Sequence, residues 1–428
     1  MKIFARTLTL LLFFSLPSVA FAQVEAGLFQ YPDVSDTHIT FVYGNDIWIV
    51  PKSGGQASRL SSPAGPETFP RFSPDGSQIA YSGSYGGNQD VYVIPAKGGI
   101  PNRLTFHGMT DIVMDWHPEG DRLLIRSSRY SGRQRYNQFL ELPVTGGLPE
   151  LTSVPYGEFA TYSPDGKSLA YTPKSRIFRS WKRYRGGTAT DIYLFNLGSL
   201  KAQNISQSDA NDELPMWHKD KVYFLSDRGP FKRFNIWSYD TSDGQLQQLT
   251  KFDDFDIHFP SLGPQEIVFV AGGKMYLLNL DTEKLREVSI QVISDQQALI
   301  PRMEKVKNNM QSLAPSPDGQ RAVVEARGEL FSVPAEKGVV KNWSQSSGIA
   351  ERHPAWSPDG KHIAYWTDRN GEYELALRDL RTGKEKILTE LGPGFRYRIF
   401  WSPDSKKLAF IDQAMYIQIH NLETQNTR

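Results

Sequence analysis

The sequence predicts an all-β chain of β-propeller blades: a complete six-bladed propeller followed by the first blades, about three, of a second. Three observations carry that expectation. A Ser-Pro-Asp-Gly turn recurs along the chain, short apolar strands follow it in constant phase, and the 428 residues include 12% aromatics, 35 Gly and 27 Pro. Aromatic and β-branched residues suit pleated strands, and Gly and Pro punctuate turns.

The turn stands at Ser73-Pro74-Asp75-Gly76, Ser163-Pro164-Asp165-Gly166, Ser316-Pro317-Asp318-Gly319 and Ser357-Pro358-Asp359-Gly360. Variants occupy His117-Pro118-Glu119-Gly120 and Ser402-Pro403-Asp404-Ser405. Pro presets φ at the second position, Asp bonds the local backbone, and Gly accepts a positive φ.

Each turn is followed by an apolar strand, such as Gln78-Ile79-Ala80-Tyr81 or His362-Ile363-Ala364-Tyr365. An alternating strand comes next, as in Asp90-Val91-Tyr92-Val93, Asp191-Ile192-Tyr193-Leu194 and Asn235-Ile236-Trp237-Ser238. A turn, often Gly-Gly, then leads to a closing strand ending in Leu-Thr, as at Leu104-Thr105 and Leu249-Thr250. The unit repeats at about 40 to 50 residues, the period of propeller blades. A lone blade cannot bury both faces, whereas a ring of blades buries them and removes free sheet edges. No Trp-Asp dipeptide occurs, which disfavours the WD40 subtype.

Units fall at 37–60, 67–105, 110–152, 156–206, 211–250 and 255–289. The stretch 291–310 breaks the pattern, and further units begin near Leu313, Arg352 and Arg396. The predicted organisation is a leader at 1–22, a six-bladed propeller at 23–292 and a partial second propeller at 293–428. Three blades do not close a ring that needs about four to eight, so the second propeller is expected to be truncated.

The leader reads as a secretory signal. Lys2 and Arg6 supply positive charge, Leu8–Leu16 is an apolar run too short to span a bilayer comfortably, and Ala20-Phe21-Ala22 offers a small-x-small cleavage site. Cleavage after Ala22 gives a periplasmic or secreted protein with no membrane segment. Charge is balanced, 48 basic against 47 acidic residues, which points away from nucleic acid. There is no Cys, so disulfides, thiolate nucleophiles and Cys-ligated zinc are excluded.

No catalytic pattern emerges: the chain lacks Gly-x-Ser-x-Gly, His-Glu-x-x-His and a phosphate-cradling Gly-rich motif. No cofactor or metal is expected. Asp253, Asp254 and Asp256 lack the Gly and distal Glu of a calcium loop, and their alternation with Phe252 and Phe255 reads as a strand. Two basic clusters remain, Arg126, Arg129, Arg133 and Arg135, and Arg176, Arg179, Lys182, Arg183 and Arg185. Guanidinium groups take carboxylates in bidentate fashion, so Arg129, Arg133, Arg135, Arg183 and Arg185 are candidate anchors for a peptide carboxylate. A solvated basic loop is the competing reading.

The repeat around Ser-Pro-Asp-Gly resembles the TolB-type blade. The run of segments is similar to the N-terminal part of tricorn-type serine proteases. The matching stretches are Tyr31-Pro32-Asp33, Phe41 to Trp48, Phe69 to Gly76, Arg135-Tyr136-Asn137-Gln138, Trp181 to Thr188 and Pro215-Met216-Trp217. The Lys182-Arg183-Tyr184-Arg185-Gly186-Gly187 insertion is the most specific of these. The resemblance implies a six-bladed propeller, then a seven-bladed one, then a PDZ-like domain flanked by catalytic segments. It also implies a homo-oligomer in which propellers filter peptides. On that reading this chain ends inside the second propeller, lacks the catalytic Ser and His, and handles peptides or unfolded polypeptide. It departs from the family archetype in carrying an export signal. A self-standing TolB-like module binding envelope proteins is the alternative. A propeller preceding an α/β-hydrolase, as in prolyl oligopeptidases, is disfavoured by the predicted second ring.

Overall fold

The computed structural model describes residues 26–132, 136–180, 182–294, 302–346 and 348–428; the expected leader lies outside the described residues. Among those residues, no helix is long and apolar enough to cross a membrane. Almost all regular structure is β, in two compact units, Met1–Ile300 and Pro301–Arg428.

In the first unit, six four-stranded sheets follow one another in chain order, each an antiparallel meander. Their first strands are Gln30–Val34, Glu67–Phe72, Asp111–Trp116, Phe159–Tyr162, Asp212–His218 and His258–Leu262. Each first strand packs on that of the next sheet, and the sixth returns to the first, so these strands surround a common axis. Two links seal the return. Ile290–Gln291 pairs in parallel with Gly55–Gln56 beside the first sheet, and Ser261 Oγ donates to Asp33 on the inner strand of that sheet.

The Ser-Pro-Asp-Gly turn joins the first and second strands. At Ser73 the backbone N–H of Gly76 bonds Ser73 O at 2.8 Å, Ser73 Oγ donates to Asp75 at 2.5 Å and accepts from Gln78 N at 3.0 Å. Gly76 holds φ 70°, a value costly for residues with a Cβ. The same bonds recur at Ser163, Ser316, Ser357 and Ser402. The bond from Ser73 Oγ, with those from Ser77 N and Oγ, holds the Asp75 carboxyl down at about 2.

The closing Thr also has a defined task. Thr105 Oγ1 accepts from Val91 N at 2.9 Å, and Thr250 Oγ1 from Ile236 N at 2.8 Å. Ser61, Ser206, Ser344 and Thr389 repeat the bond. A hydroxyl thus satisfies a third-strand N–H where the short fourth strand has ended.

The second unit has two four-stranded sheets and one of three strands, over 310–342, 351–387 and 396–421. Val323, Leu330, Ile363, Tyr365 and Ala376 form one buried cluster, and Trp366, Leu375, Ile399, Leu408 and Phe410 another.

One placement corrects the sequence expectation. Asp253, Asp254 and Asp256 lie in the loop before His258–Leu262 rather than on a strand; Asp256 accepts from Phe234 N at 2.8 Å, a contact 22 residues away that alternation cannot reveal.

Candidate functional site: the axial passage

Inner strands of the first unit are irregular at one level. Register shifts interrupt pairing at Gln30/Asp33, Thr68/Arg71, Glu213/Met216 and His258/Ser261. Within them, Tyr31, Phe69, Leu214 and Phe259 take φ of 47°, 52°, 53° and 45°. Each precedes a proline: Pro32, Pro70, Pro215 and Pro260. Bulky residues rarely adopt positive φ, and bulges of this kind re-aim a side chain.

These bulges bring aromatic rings together on the axis. Tyr31 lies 4.3 Å from Phe69 and 4.5 Å from Phe259, centroid to centroid, and Phe69 lies 6.0 Å from Phe159. Phe178 adds a fifth ring, 6.4 Å from Phe69, 6.2 Å from Phe159 and 5.6 Å from Phe259. Phe69 and Phe159 are buried, whereas Phe178 is 55% exposed.

On the side of the Ser-Pro-Asp-Gly turns lies a cavity of about 650 Å³, lined by all six sheets. Among the charged groups in its wall, Asp33, Arg71 and Asp115 stand on inner strands, and Asp36, Asp75 and Lys219 stand on the turns. Asp33 accepts from Ser261 and from Phe72 N at 2.6 Å. Burial pushes its carboxyl up to about 6, with Arg71 pulling the other way. Asp115 accepts from Thr161 Oγ1 at 2.7 Å, Tyr162 N at 3.0 Å and Trp116 N at 2.8 Å, and burial raises it too. Arg71 donates to the carbonyls of Met114 and Pro70 at 3.3 and 3.0 Å and makes no ion pair among the described residues. It therefore presents guanidinium N–H groups to the cavity, while the neighbouring carboxylates are engaged with the protein.

Of the sequence-predicted anchors, the three described ones, Arg129, Arg183 and Arg185, do not line this cavity. Arg133 and Arg135 lie outside the described residues. Arg129 pairs with buried Asp111. Arg183 pairs with Asp256 at 3.0 Å, and Arg185 with Asp227 at 3.0 Å. A peptide carboxylate at any of these three would have to share an internal ion pair. Arg183 and Arg185 belong to one loop, and Arg129 to the third sheet. Sequence reasoning missed Arg71 and the aromatic rings; the signal for the rings was an aromatic or Leu before Pro, upstream of the turn in four sheets.

The model of the family described as "Tricorn protease N-terminal beta propeller domain" matches residues 26–284. The chain belongs to the tricorn N-terminal propeller family. The tricorn protease homolog of Saccharolobus solfataricus is 24% identical over 403 residues, covering 94% of this chain and 36% of the relative. Tricorn protease homolog 1 of Streptomyces coelicolor is 28% identical over 352 residues, covering 81% of this chain and 32% of the relative. The crystal structure of the tricorn protease superposes with a TM-score of 0.60 at 21% identity, over 94% of this chain and 39% of that one, which shows a shared propeller fold. The tricorn-type chain described here spans about a third of the length of the curated relatives it matches.

Proposed function

We propose that this chain is the exported, non-catalytic propeller portion of a tricorn-like serine peptidase, which binds peptides or gates their passage to a catalytic part. The six sheets of the first unit then serve as the blades of a complete ring, and the three of the second as the opening blades of another. The observation that carries the reading is the axial cavity, walled by all six sheets and offering the Arg71 guanidinium within it. Family membership supports proteolysis as the process served. Lys2, Arg6, the run Leu8–Leu16 and Ala20-Phe21-Ala22 support export, with the mature chain beginning at Gln23 in the periplasm or outside the cell. PDZ-like and catalytic domains, and further copies of the assembly, are the partners this reading requires.

The test is photo-crosslinking of short benzophenone-bearing peptides to the purified chain, with the adducts mapped by mass spectrometry. Adducts on Arg71, Trp217 or other cavity residues support the reading. Adducts scattered over the outer strands, or none, overturn it.

A further inference from the structure

Resting on the reading of the axis as a peptide passage, we propose that the connection 173–192 of the fourth sheet is the lid of a closed aromatic gate, with Phe178 at its tip. Trp181 within it lies outside the described residues.

Four rings of the gate are fixed by strands. Tyr31, Phe69, Phe159 and Phe259 stand on inner strands, three of them at proline-backed bulges. Their centroid separations leave no room for an extended polypeptide between the two mouths of the ring. Phe178 alone of the five stands on a connection, and it touches Phe69, Phe159 and Phe259. It wedges those rings in the axis; with it withdrawn, they gain space to swing about χ1 and χ2.

The connection carries few backbone bonds of its own, such as Arg179 N to Arg176 O and Ala189 N to Gly186 O, both at 2.8 Å. Its C-terminal end is bonded to the neighbouring backbone, Asp212 N donating to Thr190 O at 2.9 Å, and the rest is held by side chains on and beside the fifth and sixth sheets. Glu213 accepts from Arg176 N at 2.6 Å. Asn211 donates to Tyr184 O at 3.0 Å, Arg185 pairs with Asp227, and Arg183 pairs with Asp256. Ile177, buried beside the tip, acts as the pivot. A strap latched by ion pairs opens without breaking any strand pair, which places it at the low-stability end of the fold.

The natural chain has no cysteine, so Tyr31→Cys creates a single thiol on the axis. Its maleimide labelling rate reads opening of the gate. Arg183→Ala, which leaves Phe178 in place but removes a latch, is expected to raise that rate about tenfold, equivalent to about 1.4 kcal/mol of opening free energy. Phe178→Ala should raise it at least as much. A rate unchanged by Arg183→Ala overturns the lid, whether or not peptides crosslink in the cavity; absent crosslinks with a raised rate overturn the peptide reading instead. If Tyr31→Cys fails to fold, amide exchange in the cysteine-free chain decides. Arg183→Ala should then speed exchange over 174–190 and leave the inner strands unchanged; equal protection in both proteins contradicts the proposal.

Discussion

Ser261 donates a hydrogen bond to Asp33, joining the inner strand of the sixth sheet to that of the first across 228 residues of sequence. Asp33 also receives Phe72 N of the second sheet, so one buried carboxyl ties three neighbouring sheets. Asp33→Ala should lower stability by about 2–3 kcal/mol, because a buried N–H and a hydroxyl lose a strong acceptor. Urea unfolding of both proteins checks this, and a midpoint within error of the parent argues against closure through Asp33.

Phe69 fills the centre of the ring cluster and is 3% exposed. Phe69→Ala leaves a cavity that rigid strands cannot collapse, and the expected loss is about 3–5 kcal/mol. Phe178→Ala, on the half-exposed lid, should cost about 1 kcal/mol or less. Thermal unfolding of the pair distinguishes a core ring from a lid ring; equal losses contradict that division.

Thr250 both accepts from Ile236 N and donates to Asn235 Oδ1 at 2.9 Å. Thr250→Val keeps the shape and removes both bonds. The cost should be about 1–3 kcal/mol, since a buried N–H is left without a partner. Thr250→Ser should restore most of it, as Ser206 performs the same task in the fourth sheet.

Glu213 governs the pH dependence of the lid anchor. Burial pushes its carboxyl up to about 7 from 4.5, against the hydrogen bond from the Arg176 backbone. The folded state therefore holds its proton where the unfolded chain has released it. The contribution of Glu213 to stability is fully present below about pH 4.5 and is lost as pH rises to about 7, by up to about 3 kcal/mol. Asp33 and Glu67, pushed up by burial to about 6 and about 7, act in the same direction. Glu213→Gln should flatten the slope and stabilise the chain at about pH 8 relative to the parent. Urea midpoints at about pH 5 and about pH 8 test it; an unaltered slope would show that Glu213 does not titrate in this range.

The sequence exposed what is set by local chemistry and hid what is set by assembly. Ser73, Asp75 and Gly76 bond within five residues, so the turn and the strand phase that follows were readable from residue types. Tyr31, Phe69 and Phe259 look like any aromatic strand residue until the ring closes and the bulges turn them inward. The partners of the arginines were hidden for the same reason. Arg129, Arg185 and Arg183 find their carboxylates 18, 42 and 73 residues away, and a charge run shows nothing of such partners. Arg71 drew no notice because a single Arg before a turn carries no pattern; only the cavity around it makes it distinctive.

The central claim is that this chain handles peptides without cleaving them. Incubating the purified chain with a mixed peptide library, with and without a serine-directed fluorophosphonate, tests it most directly. No hydrolysis above background and no covalent label on any Ser are expected. Turnover that the reagent abolishes, with label on a Ser of this chain, would contradict it.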